Sequence, residues 1–559
     1  MTPATPPKRV TLLVISALAI FVCLFGNLGA MGLVGPDEPR YVWIARAMAE
    51  TGDWITPRLY GLPWFEKPAL YYWLAAIGFR LHLPAEWAAR LPSAVAAFAA
   101  ALAVGWLGWK YYGHERGLKL SPALLAALIL STSVAAVGTA RSASPDMLFS
   151  SCVTLAMACG ADVCSRLGAL PDANSATPSF VPRLRGPLVL FGLFLGLGVL
   201  AKGPAAMVLA GGAIGLWALV TGQWRAAFRV AHPLAVAVFA ATALPWYVVC
   251  ALRNPDFLRV FLLQHNVERY LTPMFQHRQP FWFFGPITLL ALIPWTALLW
   301  PVASEGLQLW KEKRWRRSPG FFFACWAAFP VLFFSLSQSK LPGYILPAIP
   351  PLALLCAVGL FRTFEQQRPA ALGITVIMAA TCVGVGVAAR LFLRRFDWSA
   401  IPTDDGARTL HMLSYLAIGC AILTAAVLVA AGIRKNLALA AGACALWIAL
   451  SVEVASWGAL PLVDCFYSAR PHAEFMRNDR HPDRIFAYRL SRSWMYGLAF
   501  YFRRQLPEWS PLDPQPALVL TTAEGAKKIQ SLGRVGGSLE EKQAGILYVP
   551  VGAAPVSRQ

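Results

Sequence analysis

Apolar runs that recur along the chain constrain its fold more than any other feature. A bilayer core is about 30 Å thick, and a helix needs about 20 apolar residues to cross it. Runs of this kind fill most of residues 10–460, and 57% of the 559 residues are hydrophobic whereas 14% are charged. Soluble domains carry about 25% charged residues. The sequence therefore predicts a polytopic α-helical membrane protein and excludes an ordinary soluble enzyme.

The apolar runs predict about thirteen transmembrane helices. Lys202-Gly203-Pro204 separates the fifth run from the sixth, which allows either a hairpin or one broken helix. The first run follows Lys8 and Arg9 without a small-residue cleavage site, so we expect a retained span rather than a signal peptide. The predicted spans are residues 10–34, 90–108, 121–138, 147–164, 187–201, 204–221, 230–251, 282–303, 320–336, 344–361, 370–390, 412–433 and 437–460.

The distribution of Lys and Arg predicts the orientation. The chain has 49 Lys and Arg against 28 Asp and Glu, a net charge of +21, and these charges are scattered between apolar runs. This does not favour a nucleic-acid partner, whose binder would carry clustered basic patches. Alternate loops, including residues 110–119 and 311–317, concentrate the cations, which predicts that they are cytoplasmic. The opposite, exterior side would hold residues 35–86, 139–146, 252–281, 335–343, 391–411 and everything after 461.

The composition becomes polar near residue 461. Residues 1–460 are therefore predicted to form the transmembrane domain, with residues 35–86 as an amphipathic loop. Residues 461–559 are predicted to form a small periplasmic α/β domain, with β-like runs at 484–490, 517–522 and 546–551 and a helix near 523–532. Most of the 11 cysteines lie in apolar runs, which predicts no disulfide framework.

The first exterior loop carries the most unusual polar cluster. It begins with Asp37-Glu38-Pro39-Arg40-Tyr41 and continues as an amphipathic helix. One interpretation is that the acids interact with the helix dipole; the other is that an acid lies where a polar headgroup docks. Glu66 and Lys67 follow within an aromatic stretch. The alternative for this stretch is that its aromatic side chains and Lys67 anchor the loop at the membrane interface.

Three further polar segments lie on the same predicted side. Asp146 begins the fourth span and either pairs with Arg141 or has a functional role. His265 and Arg269 share one helical face by their i, i+4 spacing, and His265 is either structural or a metal ligand. Lys340 lies in a Pro-bounded turn and is either an interfacial anchor or a point-charge ligand for phosphate.

Together these segments resemble the aminoarabinose transferases, which belong with the protein O-mannosyltransferases to the membrane-embedded GT-C glycosyltransferases. The resemblance covers most of the chain from about residue 30 to the C-terminal tail. It rests on residues 37–41, 65–68, 265–270 and 339–347 together with Asp146. The first two motifs are shared across the wider group, so they specify a polyprenyl-phosphate-sugar glycosyltransferase more firmly than the sugar or the acceptor.

The resemblance implies an inner-membrane pentosyltransferase of Gram-negative bacteria. It would move 4-amino-4-deoxy-L-arabinose from undecaprenyl phosphate to a lipid A phosphate at the periplasmic face, and thereby confer polymyxin resistance. A monomer surrounded by membrane lipids is expected. The implied roles are catalysis by Asp37 and Asp146; donor-phosphate binding by Arg40, Lys67, Arg269, Lys340 and Tyr344; headgroup contacts by Glu38 and Tyr41; and a candidate divalent metal, zinc among the options, on Glu66 and His265.

Two other functions stay open at this point. A related enzyme could transfer a sugar from the same kind of donor to a protein hydroxyl. A lipid-linked sugar transporter would instead line a midplane pathway with charged residues. Lys202 is the main charge within the apolar runs, and at depth it is expected to pair with an acid or a lipid phosphate.

Overall fold

The computed structural model describes residues 7–113, 121–171, 184–271, 278–394, 405–478, 484–535, 540–543 and 546–552. These residues are predominantly helical. The helices are α1 (Pro7–Phe25), α2 (Asp37–Thr51), α3 (Leu70–Arg80), α4 (Ala85–Tyr112), α5 (Pro122–Ser131), α6 (Val134–Ala140), α7 (Pro145–Arg166), α8 (Arg185–Lys202), α9 (Ala205–Thr221), α10 (Trp224–Val230), α11 (Pro233–Arg253), α12 (Arg269–Leu271), α13 (Phe284–Ala291), α14 (Leu299–Lys311), α15 (Pro319–Ser335), α16 (Ile349–Glu365), α17 (Ala370–Leu393), α18 (Gly406–Ile433), α19 (Leu437–Val454), α20 (Leu460–Tyr467), α21 (Arg470–Asn478), α22 (Arg492–Phe502) and α23 (Ala523–Ser531). The strands are β1 (Arg58–Leu59), β2 (Leu62–Pro63), β3 (Ile485–Tyr488), β4 (Ala517–Thr521), β5 (Glu540–Gln543) and β6 (Ile546–Val551).

The helices confirm a multi-pass membrane protein. Within the described residues, 8 helices are long and apolar enough to cross a bilayer, or up to 10 if each of two bent pairs is one span. The shorter apolar helices Leu13–Phe25, Ala205–Thr221 and Pro319–Ser335 also coincide with predicted runs. The count of thirteen spans stays a prediction, since it requires these shorter helices to cross as well.

Two predicted spans are sharply bent rather than straight. The run at 121–138 divides into α5 and α6, which meet at 60°, and the Ser133 hydroxyl accepts a hydrogen bond from Ala136 N to start α6. The run at 282–303 divides at Pro294, and its two halves meet at 110°. Proline lacks the N–H that a continuous helix requires. A short polar segment or a proline therefore bends an apolar run that would otherwise form one straight helix.

The core of the helical part packs around α4, α5, α7 and α16. Small side chains such as Ala100 and Ala126 are fully buried between these helices, as is common where membrane helices approach closely. Trp295 is also buried, and its Nε1 donates a hydrogen bond to Thr132 Oγ1 at 3.0 Å. Because this bond joins the break after α5 to the break before α14, it fixes the two bends against one another.

The C-terminal region contains a four-stranded sheet in the order β3-β4-β6-β5. Strand β3 runs parallel to β4, whereas β4 with β6 and β5 with β6 are antiparallel. Alternate residues of β4 face opposite sides: Leu520 packs with Leu498 and Tyr548, and Val519 packs with Ile529. Strands β3, β4 and β6 and helix α23 occur where the sequence predicts them, whereas β5 lies outside the predicted runs. The domain boundary at 460/461 stays a prediction, because helical residues run from α19 through α20 across it.

Candidate active site

One cavity of about 430 Å³ gathers side chains from distant parts of the chain. Its walls come from α2, the loop after β2, the start of α7, the end of α8, α9, the π-helical segment Arg259–Glu268 and the end of α15 with the 3₁₀ segment Pro342–Ala348. The predicted site residues that line it are Asp37, Tyr41, Glu66, Lys67, Asp146, His265 and Tyr344.

Asp37 reaches the cavity because it begins α2. It lies in the first turn with Glu38, where the helix dipole favours a carboxylate, and its side chain is 59% exposed. Tyr41 follows one turn later on the buried face of the helix. Helix α2 packs on the core through Val42, Ile44 and Ala45, each fully buried. The amphipathic helix predicted for this loop is therefore present, and Asp37 lies at its N-terminus, facing the cavity.

Arg40 joins Asp37 to Glu66. Its guanidinium donates to Asp37 Oδ1 at 2.5 Å and lies 2.9 Å from Glu66 Oε2. The sequence predicts Arg40 as a phosphate ligand, but Arg40 is not among the residues that line the cavity. Through this one guanidinium nitrogen Arg40 holds the two acids in position, while its buried Nε has no hydrogen-bond partner among the described residues, so its role as a phosphate ligand stays a prediction.

Glu66 and Lys67 form the second half of this cluster. Lys67 Nζ donates to Glu66 Oε1 at 3.1 Å, and both side chains are 12% exposed. Burial acts to raise the pKa of Glu66, but the charges of Lys67 and Arg40 outweigh it and lower that pKa to about 2. The Glu66 carboxylate is therefore ionised at any physiological pH.

Asp146 forms an ion pair with Lys202, not with Arg141. Lys202 Nζ lies 2.6 Å from Asp146 Oδ1. Arg141 instead donates to the carbonyl oxygen of Gly26 at 2.5 Å and to Ser456 Oγ at 2.7 Å, so the mutual neutralisation considered from the sequence is wrong. Asp146 lies in the first turn of α7 and Lys202 in the last turn of α8. Each charge is thus at the helix end whose dipole favours it.

Gly203 makes the placement of Lys202 possible. Its φ of 103° and ψ of −165° lie in a region open essentially to glycine alone. A Cβ atom there would also lie 2.9 Å from Phe261 Cζ. The Lys202-Gly203-Pro204 break therefore yields two separate helices, α8 and α9, and leaves Lys202 at the cavity wall.

The segment after α15 places Tyr344 in the cavity wall, whereas Lys340 of the same segment does not line the cavity. The Tyr344 ring lies 5.3 Å from Lys202 Nζ. Lys340, predicted as a phosphate ligand, is 7% exposed, and its Nζ donates to the carbonyl oxygens of Ser337 at 2.6 Å and Gln279 at 3.1 Å. The neighbouring Ser339 and Leu341 line the cavity, whereas Lys340 does not. Lys340 therefore stabilises the loop that forms the wall.

Glu38 has a structural position rather than the predicted headgroup contact. One carboxylate oxygen accepts hydrogen bonds from Arg90 and from the backbone N–H of Val34, each at 2.9 Å. The other accepts from the backbone N–H of Ala143 at 2.7 Å. It thus ties the first loop to the turn before α7. The side chain of Arg269, predicted to bind phosphate, lies outside the described residues.

The candidate metal ligands Glu66 and His265 both line the cavity. Zinc sites generally use at least three protein ligands, but the described part of the chain contains no group of three or more His, Cys, Asp or Glu placed to hold a metal ion. Both Glu66 oxygens are engaged by the cations of Arg40 and Lys67. Glu66 and His265 therefore do not form a site that fits a protein-held metal ion.

The sequence does not identify several of the cavity residues as site residues. It indicates Lys202 only as a charge within the apolar runs, although such a residue is a functional candidate by position. Tyr270 stacks on Phe333 at 4.7 Å and donates from its hydroxyl to the Phe333 carbonyl at 2.9 Å. Asn266 and Ser337 also line the cavity. No local spacing distinguishes these three from ordinary loop residues.

The cavity can therefore hold an anionic headgroup with an apolar tail. Lys67 and Lys202 supply cations at the wall, and Asp37 and Asp146 supply carboxylates. The remaining surface is largely apolar and aromatic, with Phe149, Val208, Phe333, Phe334 and Leu341 among its members. Fixed charges of this kind stabilise a leaving group that becomes negative as its bond breaks.

Comparisons with known proteins find similarity to two kinds of transferase. The model of the family described as dolichyl-phosphate-mannose-protein mannosyltransferase matches residues 10–261. The undecaprenyl phosphate-alpha-4-amino-4-deoxy-L-arabinose arabinosyl transferase of Edwardsiella ictaluri is 35% identical over 389 residues, which cover 69% of this chain and 65% of that protein. The protein of the same name from Serratia proteamaculans is 31% identical, covering 69% and 66%. The chain thus matches just under two thirds of the length of these curated relatives.

Solved structures share the fold over nearly the whole chain. The crystal structure of ArnT from Cupriavidus metallidurans bound to undecaprenyl phosphate has a TM-score of 0.76 at 22% identity and covers 99% of both chains. The apo structure of that protein has a TM-score of 0.73 at 23% identity and covers 97% of both chains.

Proposed function

We propose that this chain, which is similar to the undecaprenyl phosphate-aminoarabinose arabinosyl transferases, is a glycosyltransferase of the same specificity. It transfers 4-amino-4-deoxy-L-arabinose from undecaprenyl phosphate to a phosphate of lipid A. The observation that carries this proposal is the meeting of Asp37, Lys67, Asp146 and Lys202 in one largely apolar cavity. A lipid phosphate-linked sugar needs that combination of cations, carboxylates and apolar wall.

The donor phosphate binds between Lys67 and Lys202. Both ammonium groups lie at the cavity wall, where each already faces a carboxylate, at 3.1 Å for Lys67 and 2.6 Å for Lys202. When the bond from the anomeric carbon to the phosphate oxygen breaks, the electron pair stays with undecaprenyl phosphate. Lysine is a suitable point-charge partner for the resulting anion. Tyr344 and Arg269 are assigned to the same phosphate by the family resemblance.

Asp37 and Asp146 act on the sugar. Asp37 lies at the N-terminus of α2 and its side chain is 59% exposed. Its carboxylate can therefore face the 4-amino group or the positive charge that develops at the anomeric carbon. The acceptor phosphate is already an oxyanion at neutral pH, so no strong general base is needed. Its oxygen forms the new bond to the anomeric carbon in a single displacement with inversion.

The protein is assigned to the bacterial inner membrane as a monomer, with the cavity and the C-terminal sheet on the periplasmic side. The concentration of cations in alternate loops supports this orientation. Residues 311–317, for example, contain five Lys or Arg and belong to loops on the side opposite to residues 35–86 in the predicted topology. Modification of lipid A phosphates would lower its negative charge and confer resistance to polymyxin.

Lipid A mass spectrometry in a strain that lacks its own aminoarabinose transferase tests the proposal. Wild-type protein is expected to add the aminoarabinose mass increment and to raise polymyxin survival, and Asp37→Asn is expected to abolish both. Asp256→Asn is the matched control, because Asp256 is an exposed acid that pairs with Arg259 outside the cavity. Absence of the increment with well-expressed wild type, together with newly glycosylated periplasmic protein, would favour the protein-directed transferase.

A further inference from the structure

The backbone that leads into Asp37 is held by the C-terminal part of the chain. The N–H of Gly32 donates to Asp464 Oδ1 at 2.9 Å, and the N–H of Leu33 donates to the Tyr501 hydroxyl at 2.8 Å. The Arg470 guanidinium donates to the carbonyl oxygens of Gly29 at 3.0 Å and Ala30 at 3.3 Å. Four of the backbone polar groups in residues 29–33, which precede α2, are thus bonded by Asp464, Arg470 and Tyr501.

Gly32 shows how closely these two regions approach. A Cβ atom at this position would lie 2.1 Å from Ser468 Oγ, 2.8 Å from the Tyr501 hydroxyl oxygen and 2.9 Å from Arg470 Cβ. Real Cβ atoms do not make such contacts, so only glycine fits. The backbone of the loop therefore rests directly on the C-terminal side chains, without an intervening side chain that could adjust.

Tyr501 also connects this contact to the membrane helices. Its hydroxyl donates to Glu86 Oε1 at 2.7 Å while it accepts from Leu33. One turn further along α4, Arg90 donates to the carbonyl oxygens of Leu28, Met31 and Gly32, at 2.7 to 2.8 Å. Residues 28–33 are therefore fixed from one side by α4 and from the other by Tyr501 and Arg470.

Helix α22 contacts α2 itself. Arg46 donates to the carbonyl oxygen of Phe500 at 3.1 Å, and its guanidinium lies 3.7 Å from the centroid of the Phe500 ring. Tyr496 approaches the guanidinium of Arg40 at 5.8 Å from its ring centroid. Arg40 is the residue that bridges Asp37 and Glu66. Helix α22 thus contacts both the start and the middle of α2.

We propose that Asp464, Arg470 and Tyr501 form a clamp that sets the position of Asp37 relative to Glu66 and Lys67, with Tyr501 as its central positioning residue. The clamp deepens the proposed function and rests on it, because it gives the C-terminal contacts a role in positioning the carboxylate that is proposed to act on the sugar. Tyr501 is not among the residues that line the cavity; it acts through the backbone of residues 32–37. A displacement of about 1 Å at a reacting group can cost about 100-fold in rate.

Steady-state kinetics of Tyr501→Phe in full-length protein in lipid nanodiscs test the clamp. We expect kcat to fall on the order of tenfold or more while KM for the undecaprenyl-phosphate donor changes less than about twofold, because the donor-binding lysines stay in place. Tyr548→Phe is the matched control: its hydroxyl is also buried and bonded, to His472 at 2.8 Å, but within the C-terminal domain. Its kcat should stay within about twofold of wild type.

Hydrogen exchange provides a readout that does not depend on activity. Tyr501→Phe should speed exchange of the Leu33 amide, whose acceptor it removes, and Tyr548→Phe should not. Unchanged kcat in Tyr501→Phe with active wild type would overturn the clamp, as would unchanged exchange at Leu33. If wild type itself transfers no sugar, the proposed function fails, and the clamp is then judged by the exchange of residues 29–36 alone.

Arg470→Lys covers the case in which Tyr501→Phe does not fold. Lysine keeps the charge beside Asp464, 2.7 Å from the Arg470 guanidinium, but loses the fork that reaches two carbonyl oxygens at once. Lower kcat, unchanged donor KM and faster exchange at residues 29–33 would support the clamp. Wild-type kcat and exchange in this variant would overturn it.

Discussion

The Lys202 ammonium lies 2.6 Å from the carboxylate of Asp146, across the cavity end of two apolar helices. The pair brings opposite charges together where α8 ends and α7 begins, and it places a cation 5.3 Å from the centroid of the Tyr344 ring. Ionisable residues within apolar helices are rare and usually have a functional role. We infer that Lys202 binds the donor phosphate and that Asp146 acts on the sugar.

Removal of either member of this pair should therefore abolish most of the activity. Lys202→Met and Asp146→Asn are each expected to lower kcat/KM by about 100-fold or more, because each removes a fixed charge from the site and leaves its partner unbalanced. The double variant should be no worse than the more damaged single variant, since the two act as a unit. Losses that simply multiply in a double-mutant cycle would show that the two residues act independently.

Glu66 should contribute no inflection to the pH profile of activity. Its folded pKa is lowered to about 2, so its ionised form stabilises the fold above the ordinary pKa near 4.5, and this stabilisation is lost only as the pH falls towards 2. In kcat/KM measured from pH 5 to 9, Glu66→Gln should lower the whole profile without moving its midpoints. An acid limb above pH 5 that disappears in Glu66→Gln would contradict this assignment.

His472 should make the C-terminal domain sensitive to acid. Burial lowers the pKa of this histidine from 6.5 to about 4, where its ring contacts the Tyr548 hydroxyl at 2.8 Å. Between pH 4 and 6.5 the unfolded chain binds more protons than the folded chain, so stability falls as the pH is lowered, by at most about 1.4 kcal/mol per pH unit. Hydrogen exchange of β4 and β6 measures this slope. His472→Gln should flatten it, and an unchanged slope would contradict the prediction.

Gly203→Ala should damage the site through the backbone. The conformation at Gly203 costs other residues about 1–3 kcal/mol, and the added methyl group would meet Phe261. We expect a lower Tm and a loss of activity, because Lys202 would shift. Gly211→Ala in α9 is the control, since open space surrounds that position and alanine favours a helix over glycine by about 1 kcal/mol. Equal effects of the two substitutions would refute the argument.

Much of the fold follows from the local pattern of the sequence. Long apolar runs predict membrane helices, and the short apolar run Leu518-Val519-Leu520 between a Pro-rich segment and polar residues predicts strand β4. Asp37 and Glu38 after the first run predict the start of α2. These features depend on neighbours a few residues apart, and a single sequence contains that information.

The partners of individual charges could not be predicted in this way. Asp146 has Arg141 close in sequence, yet it pairs with Lys202 from another helix. Lys340 carries a cation that could bind an anion, but its Nζ donates hydrogen bonds to two backbone carbonyl oxygens. Glu38 and Asp37 are adjacent, but Glu38 bonds to Arg90 and to two backbone N–H groups, whereas Asp37 lines the cavity. Such choices depend on how helices pack, which the sequence does not express locally.

Direct conversion of a defined donor tests the central claim. Purified protein in nanodiscs would be mixed with undecaprenyl phosphate-linked 4-amino-4-deoxy-L-arabinose and lipid A, and both lipids would be followed by mass spectrometry. We predict that lipid A gains one aminoarabinose for each undecaprenyl phosphate released, and that Lys67→Ala and Lys202→Met largely prevent both changes. Intact donor and unmodified lipid A after incubation with well-folded wild type would contradict the account.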